Sequence, residues 1–207
     1  MYLLGKQFDP DSCPVLYEAE WTEELFARDF EVKGGEWKVE NGYLYGENRG
    51  NFPGMAISKA EYRENVMLDL YASTVLPCTH DINVMWNGSW NEKTNTRDVA
   101  YVAGLEGWWH GKVGFEKSPG YKLCAATKLF DFKPGQEYHV QCGSIDGHVF
   151  VIVDGKLALE VTDPDPIDPK RFGKVGFEAY CAKIAVGRFQ VRRIVFENVK
   201  ETYTPEF

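Results

Sequence analysis

Alternation between apolar and polar residues is most regular in residues 136–161, where three short runs are separated by Asp146-Gly147 and Asp154-Gly155. An Asp-Gly step between alternating runs predicts a β-hairpin, because a type I′ turn needs positive φ at both of its central residues. The middle run, residues 148–153, is apolar at nearly every position and so predicts a strand covered on both faces. The segment therefore predicts an antiparallel meander within a larger sheet, against which we expect the remaining strands to lie.

The rest of the chain repeats this pattern of short strands and turns. An Asn41-Gly42 step predicts another hairpin, and Thr22 is placed to cap a helix of one or two turns. Residues 104–120 are rich in glycine and tryptophan and predict an excursion between strands, whereas the prolines in residues 163–169 predict a surface loop. Many short strands with almost no helical periodicity indicate an all-β fold, an antiparallel two-sheet β-sandwich. The length fits one sandwich domain over residues 1–207.

Composition and charge narrow the class of partner. The net charge of -8 argues against nucleic acid, whose affinity for proteins comes largely from clustered Lys and Arg. No apolar run reaches the roughly 18 residues of a membrane-spanning helix, and the first residues lack the basic start and apolar core of a secretory signal. Five cysteines are widely spaced without a Cys-x-x-Cys pair: Cys13, Cys78, Cys124, Cys142 and Cys181. This usage predicts reduced thiols and a cytoplasmic protein.

One hexapeptide, Gly-Lys-Val-Gly-Phe-Glu, occurs twice, at residues 111–116 and 173–178. Duplicated sheets could produce such a repeat, but the flanking residues show no similarity. We interpret the two copies as two separate strands that share one local pattern, a glycine turn followed by alternating apolar positions.

The last third of the chain resembles the concanavalin A-like lectin/glucanase superfamily. The resemblance lies in an Asp-Gly hairpin, a proline-rich loop, the strand GKVGFEAY and a final strand FQVRRIVF. With the early WKVENGYLYGE, this order is similar to 3-keto-disaccharide hydrolase-like domains, and residues 117–126 also resemble a small bacterial sandwich family found with pectin-degradation genes. The resemblance implies a jelly roll of two curved sheets that takes ligands on its concave face. The chain lacks the ExDxxE strand of the classical glucanases, so their two-carboxylate mechanism cannot be carried over.

Aromatic and polar residues are densest between His80 and Tyr121. Flat aromatic rings stack on the C–H face of a sugar while Asn, Asp, His and Lys bind its hydroxyls, so this stretch predicts a carbohydrate site. The candidate substrate-binding residues are His80, Asp81, Trp86, Asn87, Trp90, Tyr101, Trp108, Trp109, Lys112 and Tyr121. Trp86 is equally compatible with a core position. Trp108 and Trp109 would point to opposite faces of a strand, so at most one of them belongs to the core.

Two residues in this stretch are candidates for acid–base chemistry. His110 sits among glycine-flanked turns beside the double tryptophan, and a neutral imidazole there could act as general base. Glu116 follows an apolar strand, where partial burial would raise its pKa and suit it to act as the acid. The sequence has no HxH, HExxH or CxxC spacing, so we expect no cofactor, although the resemblance leaves room for a structural calcium ion.

The functional expectation is an intracellular carbohydrate-active protein, a hydrolase or lyase of a glycoside or 3-keto-glycoside that binds its sugar on the concave sheet face. Two alternatives stay open: a non-catalytic, lectin-like carbohydrate-binding domain, and a partner subunit of a larger enzyme. The expected partner is a small carbohydrate or glycoside, without nucleic acid or membrane, and a homo-oligomer is compatible with the sequence.

Overall fold

The structure is a computed structural model that describes residues 1–107, 111–128 and 130–199. The first part of the chain forms strands β1 (Tyr2–Leu3), β2 (Lys6–Gln7) and β3 (Val15–Ala19), helix α1 (Glu23–Asp29), and strands β4 (Phe30–Val32), β5 (Glu36–Glu40), β6 (Tyr43–Asn48), β7 (Gly54–Ser58) and β8 (Val66–Thr74). The middle part forms β9 (Ile82–Gly88), β10 (Trp90–Asn91), β11 (Thr96–Arg97), β12 (Ala100–Leu105), β13 (Val113–Ser118) and β14 (Lys122–Thr127). The last part forms β15 (Tyr138–Ile145), β16 (His148–Val153), β17 (Lys156–Thr162), β18 (Lys174–Ala179), β19 (Ala182–Arg193) and β20 (Glu197–Asn198).

Two antiparallel sheets make up most of the described chain. The eight-stranded sheet has the order β17-β16-β15-β8-β19-β6-β5, with β3 also pairing with β19. The seven-stranded sheet has the order β14-β13-β12-β9-β18-β7-β4. Two small sheets, β1-β2-β20 and β10-β11, complete the fold. The predicted all-β, antiparallel two-sheet sandwich is confirmed.

The main hydrophobic core lies between the two sheets because alternate residues of each strand point inward. Leu68 and Leu70 of β8 face Val84 of β9 across this space. At one end, Phe177 of β18 and Phe189 of β19 meet edge to face, with ring centroids 4.8 Å apart and an interplanar angle of 75°. Burying a side chain of this size stabilises the fold by roughly 1.5–3 kcal/mol.

Strand β16 is buried on both faces, as its continuous apolar sequence predicts. Val149 and Val151 face the inter-sheet core, whereas Phe150 and Ile152 face a second cluster on the outer side of the eight-stranded sheet. The N-terminal segment covers that second cluster, and the ring of Phe8 lies 5.1 Å from that of Phe150.

The predicted turns have the expected backbone conformation. Asp146 and Gly147 have φ of 49° and 83°, and Asp154 and Gly155 have φ of 48° and 74°, so both central residues of each hairpin are in the left-handed region. The helix cap is also confirmed, because the Oγ1 of Thr22 accepts a hydrogen bond from the backbone N–H of Leu25 at 3.1 Å.

The predicted excursion at residues 104–120 is wrong for its second half. Residues 113–118 form β13, which pairs with β12 and β14 in the seven-stranded sheet. Val113 and Phe115 alternate into the core, and the glycines between them occupy strand positions. Separately, no described helix is both long and apolar enough to cross a membrane.

Candidate functional site

The two copies of the hexapeptide occupy equivalent positions in the seven-stranded sheet. Phe115 pairs with Ala103, Ala103 pairs with Val84, and Val84 pairs with Phe177, so one row crosses β13, β12, β9 and β18. A local two-fold axis through the middle of this row exchanges Phe115 with Phe177, because β13 and β18 run in opposite directions.

The same local axis exchanges the glutamates that end the two copies. Glu116 and Glu178 each follow an inward-pointing phenylalanine, so both side chains point to the outer face of the sheet. Glu116 pairs with Val102, and Glu178 pairs with Asn83, which places the two glutamates on opposite sides of the row.

Arg97 joins the two glutamates. It comes from β11, in the small β10-β11 hairpin, and its Nη1 lies 2.7 Å from Oε2 of Glu178 while its Nη2 lies 3.7 Å from Oε2 of Glu116. The exposed fractions of Arg97, Glu116 and Glu178 are 2%, 4% and 2%. The ring of Tyr121 covers the guanidinium, with the Arg97 Cζ 4.3 Å from the ring centroid, a cation–π contact.

Asp81 adds a third buried carboxyl group to this face. Its Oδ1 accepts a hydrogen bond from Nδ2 of Asn83 at 2.8 Å, and its Oδ2 accepts one from the backbone N–H of Tyr180 at 2.9 Å. Burial, reinforced by the nearby charge of Glu178, raises the pKa of Asp81 to about 7. Burial likewise raises the pKa of Glu178, although Arg97 opposes that change.

An apolar patch lies beside these charges and is partly covered by Trp90. The buried members of the patch, all on the outer face of the seven-stranded sheet, are Met55, Ile57, Met85, Ala100 and Val102. Trp90 is half-buried and belongs to the same β10-β11 hairpin as Arg97. The hairpin therefore brings both an indole ring and a guanidinium onto this face. We call the set of Asp81, Asn83, Trp90, Arg97, Glu116, Ser118, Tyr121 and Glu178 the Arg97 cluster.

Several polar atoms of the Arg97 cluster are buried but form no hydrogen bond within the described part of the chain. They are Asn83 Oδ1, Trp90 Nε1, Arg97 Nε, Ser118 Oγ and Tyr121 OH. Arg97 Nη1 also forms no hydrogen bond in the described chain, although it is ion-paired with Glu178 Oε2 at 2.7 Å. A buried polar group without a partner costs roughly 1–3 kcal/mol, so such a concentration at one place is unusual for a purely structural face.

The structure brings four of the predicted site residues together. Asp81, Trp90, Glu116 and Tyr121 all belong to the Arg97 cluster. They come from different strands and turns, so the seven-stranded sheet and its hairpin are what gather them.

Three predicted substrate-binding residues lie instead in the inter-sheet core, and we correct their assignment. Trp86 and Tyr101 have no exposed surface, and Asn87 is only 1% exposed. Trp86 Nε1 donates to Ser144 Oγ at 3.0 Å, and that hydroxyl donates to Asn87 Oδ1 at 3.2 Å. Trp86 on β9 and Tyr101 on β12 point inward by strand alternation. Asn87 has a φ of 44°, which interrupts the alternation of β9, and its side chain also faces inward to Ser144. All three side chains therefore face away from the outer surface of the seven-stranded sheet.

The remaining predicted residues fall in other places. Lys112 is exposed in the turn before β13. His80 lines a separate cleft of about 610 Å³ between residues 75–80 and 181–183. Trp108, Trp109 and the predicted general base His110 lie outside the described residues.

Sequence reasoning missed Arg97 and Glu178. Asn83 lies within the aromatic and polar stretch that predicted the carbohydrate site but was not among the candidate binding residues. The repeated hexapeptide carried a signal for Glu178, since each copy ends in a glutamate that follows an inward-facing phenylalanine. Nothing in the sequence around Arg97, a polar segment between strands, distinguishes it from an ordinary surface loop. Within the described ranges, no three His, Cys, Asp or Glu side chains are grouped closely enough to hold a metal ion.

No family model matches the sequence, and no curated protein matches it either. Solved structures do share its architecture. A carbohydrate-binding module, CBM66 from Bacillus subtilis, is 14% identical with a TM-score of 0.64, and the match covers 82% of this chain and 96% of that one. A Bacillus subtilis protein of unknown function with a galectin-like fold is 15% identical with a TM-score of 0.69, covering 92% and 99%.

A third structure, described as that of a proposed glycosyl hydrolase from Parabacteroides distasonis, is 12% identical with a TM-score of 0.51, covering 85% and 99%. At these identities the likeness establishes the fold. The chain shares the two-sheet β-sandwich fold of these structures, which is the fold that its sequence resemblance implied.

Proposed function

We propose that this protein is a carbohydrate-binding domain that takes a sugar on the outer face of its seven-stranded sheet, at the Arg97 cluster. The observation that carries the proposal is the group of buried polar atoms without a hydrogen-bond partner in the described chain. A sugar presents several hydroxyls on a compact ring, so one ligand that displaced the β10-β11 hairpin from these buried atoms could satisfy many of them together.

The chemistry of the Arg97 cluster suits such a ligand. Carboxylates and a guanidinium are the protein groups that form the strongest hydrogen bonds to vicinal hydroxyls, because their charge shortens and strengthens the bond. Trp90 and Tyr121 stand beside them half-buried, so an aromatic surface is available next to the charged groups. This combination is typical of a site that orients a ligand with a few polar groups against an apolar surface.

The names of structural neighbours support the same class of ligand. One neighbour is described as a carbohydrate-binding module and another as a proposed glycosyl hydrolase. The five free cysteines further support the expectation of a reducing, cytoplasmic environment.

A conservative substitution tests the proposed site. Tyr121→Phe keeps the ring over Arg97 and removes a hydroxyl that has no protein partner in the described chain. We expect this variant to fold with unchanged stability and to bind a sugar about tenfold more weakly, the usual cost of a lost hydrogen bond to a ligand. Calorimetric titration against a panel of monosaccharides and oligosaccharides measures this, with Tyr2→Phe, exposed on the N-terminal hairpin, as the matched control. Equal affinities for the two variants would remove Tyr121 from the site, and no binding to any sugar by the wild-type protein would refute the proposal.

A second candidate function, hydrolysis or elimination of a glycoside or 3-keto-glycoside, is favoured by one specific observation. Asp81, with its pKa raised to about 7, lies near Glu116, which is ion-paired with Arg97. Neighbouring carboxyl groups whose environments separate their pKa values can divide the roles of acid and base. In this second candidate function, Asp81 is the general acid, the role that we expected of Glu116 from the sequence.

The enzymatic reading has its own test. If Asp81 is a general acid, Asp81→Asn should lower turnover of a glycoside by about 10²–10⁴-fold while binding survives. Wild-type protein that binds sugars but turns over none of a broad panel of glycosides and 3-keto-glycosides would leave the non-catalytic binding domain as the function.

A further inference from the structure

We infer that the Arg97 cluster selects sugars without a negative charge and rejects uronic acids and other anionic sugars. The inference rests on the proposed function, since it specifies the chemical class that the same site would accept. Three features of the described residues lead to it: the sign of the buried charges, the state of the guanidinium, and the kind of hydrogen-bonding groups left unpaired.

The buried charges of the cluster are mostly negative. Asp81 precedes β9, Glu116 lies on β13 and Glu178 lies on β18, and all three are at least nine-tenths buried. Arg97 forms ion pairs with Glu116 and Glu178, and the ring of Tyr121 covers its guanidinium. In a site that excludes water, a ligand carboxylate would meet weakly screened repulsion from these groups.

The guanidinium of Arg97 cannot easily offset this repulsion. Its Nη1 and Nη2 already face Glu178 and Glu116. The two nitrogens that usually bind a ligand carboxylate in a bidentate manner are therefore occupied by carboxylates of the protein. The ring of Tyr121 lies over its flat face. The Nε of Arg97 is left without a hydrogen-bond partner in the described chain, so an anionic ligand could form a bidentate contact with this cation only by displacing a buried ion pair.

The unpaired atoms of the cluster match hydroxyl groups better than carboxylates. Trp90 Nε1 and Arg97 Nε can only donate, whereas Asn83 Oδ1 can only accept. The hydroxyls of Ser118 and Tyr121 can do either. A sugar hydroxyl both donates and accepts, so it can pair with every member of this set. A uronic acid keeps its ring hydroxyls but replaces one hydroxyl-bearing group with a carboxylate, which offers only acceptors and cannot donate to Asn83 Oδ1.

Matched ligand pairs test the inference on the whole protein. The neutral monosaccharide that binds most tightly in a panel is compared, by calorimetry at constant ionic strength, with the uronic acid of the same ring configuration, both as methyl glycosides. At pH 8 we expect the neutral sugar to bind about tenfold or more tightly, because one added like charge in a poorly screened site costs that much or more. A uronic acid that binds as tightly as its neutral partner, or more tightly, would overturn the inference.

The discrimination should depend on the charge of the cluster. At pH 5 the uronic acid remains ionised while the raised pKa of Asp81 lets that group take up a proton, so the difference in affinity should shrink. Glu178→Gln should shrink it at pH 8, with Glu116→Gln as a second variant if the first does not fold. Glu24→Gln, which removes an exposed charge from α1, is the control and should leave the difference unchanged.

The outcomes separate the inference from the proposed function. Discrimination that falls at pH 5 and in the cluster variants supports the inference. If the difference in affinity between the neutral sugar and the uronic acid changes neither with pH nor with these substitutions, the inference is refuted while sugar binding stands. Absence of binding by every neutral and anionic sugar would instead refute the proposed function itself.

Discussion

Glu116 and Glu178 end the two copies of one hexapeptide, and both carboxylates reach the guanidinium of Arg97. The repeat thus has a structural counterpart, a pair of strands that a local two-fold axis exchanges within one sheet. The arginine that lies between them comes from a hairpin outside the sheet. A structural reason for the repeated Phe-Glu step is that it buries an aromatic ring on one face and fixes a carboxylate on the other.

Removing Arg97 should destabilise the protein strongly. Arg97→Met leaves two buried carboxylates without their cation, and breaking a buried ion pair from one side costs about 3–5 kcal/mol. Urea unfolding at pH 7.5 measures the loss. The control is Arg63→Met, whose ion pair with Glu61 lies at the surface with 58% of the arginine side chain exposed, and should cost less than about 1 kcal/mol. Similar losses in the two variants would mean that the Arg97 ion pairs add little to stability.

The stability of the protein should respond to Asp81 between pH 4 and pH 7. Because the folded pKa of Asp81 is raised to about 7 above its ordinary value of 3.8, the folded state holds a proton that the unfolded state releases in this range. Its contribution is therefore fully present below pH 4 and is lost as the pH rises towards 7. Urea unfolding at pH 5 and pH 8 should show a smaller pH-dependent loss in Asp81→Asn than in the wild type. The exposed Asp131→Asn serves as control, and an unchanged pH dependence in Asp81→Asn would contradict the burial of a protonated carboxyl group.

Trp86 and Trp90 should behave differently when each is replaced by phenylalanine. Trp86→Phe leaves a gap in the core and removes the hydrogen bond to Ser144, which should lower the free energy of unfolding by about 2 kcal/mol without changing sugar affinity. Trp90→Phe removes an indole N–H with no partner in the described chain, so stability should hold while sugar binding weakens. Thermal melts and sugar titration on both variants measure this, and weaker binding in Trp86→Phe alone would reverse the assignment.

The five cysteines should react in an order set by their burial. Cys124 and Cys181 are exposed and should react with a thiol reagent in the native protein, whereas Cys13 and Cys142 are buried and should react only after denaturation. Burial also raises the pKa of the Cys142 thiol, which slows its reaction further. Denatured protein prepared without reductant should yield all five thiols. Recovery of three or one would reveal a disulfide and contradict the reducing environment.

Local sequence signals predicted the strands of the fold well but could not decide which face of a strand is buried. The Asp-Gly steps require positive φ, so the meander of β15, β16 and β17 follows from a few residues of sequence. Strand β9 is different, because Val84 and Met85 are both apolar and both faces of the strand are buried. Alternation alone therefore could not tell that Trp86 faces the core.

The candidate site depends on contacts between residues distant in sequence. Glu116 and Glu178 meet through Arg97 only because β13 and β18 belong to the same sheet, with β12 and β9 between them. The cross-strand register that places them on one face is a property of the folded sheet and is not written in either local segment. Asp81 was identified from its aromatic surroundings, yet its raised pKa comes from burial and from charges on other strands.

A crystal structure of the protein with the tightest-binding neutral sugar of the panel would locate the sugar site directly. We expect electron density for the sugar on the outer face of the seven-stranded sheet, with hydroxyls within hydrogen-bond distance of Tyr121 OH, Ser118 Oγ or Asn83 Oδ1. Density for a fully occupied sugar on the eight-stranded sheet or in the cleft beside His80, with the Arg97 cluster untouched, would contradict this expectation.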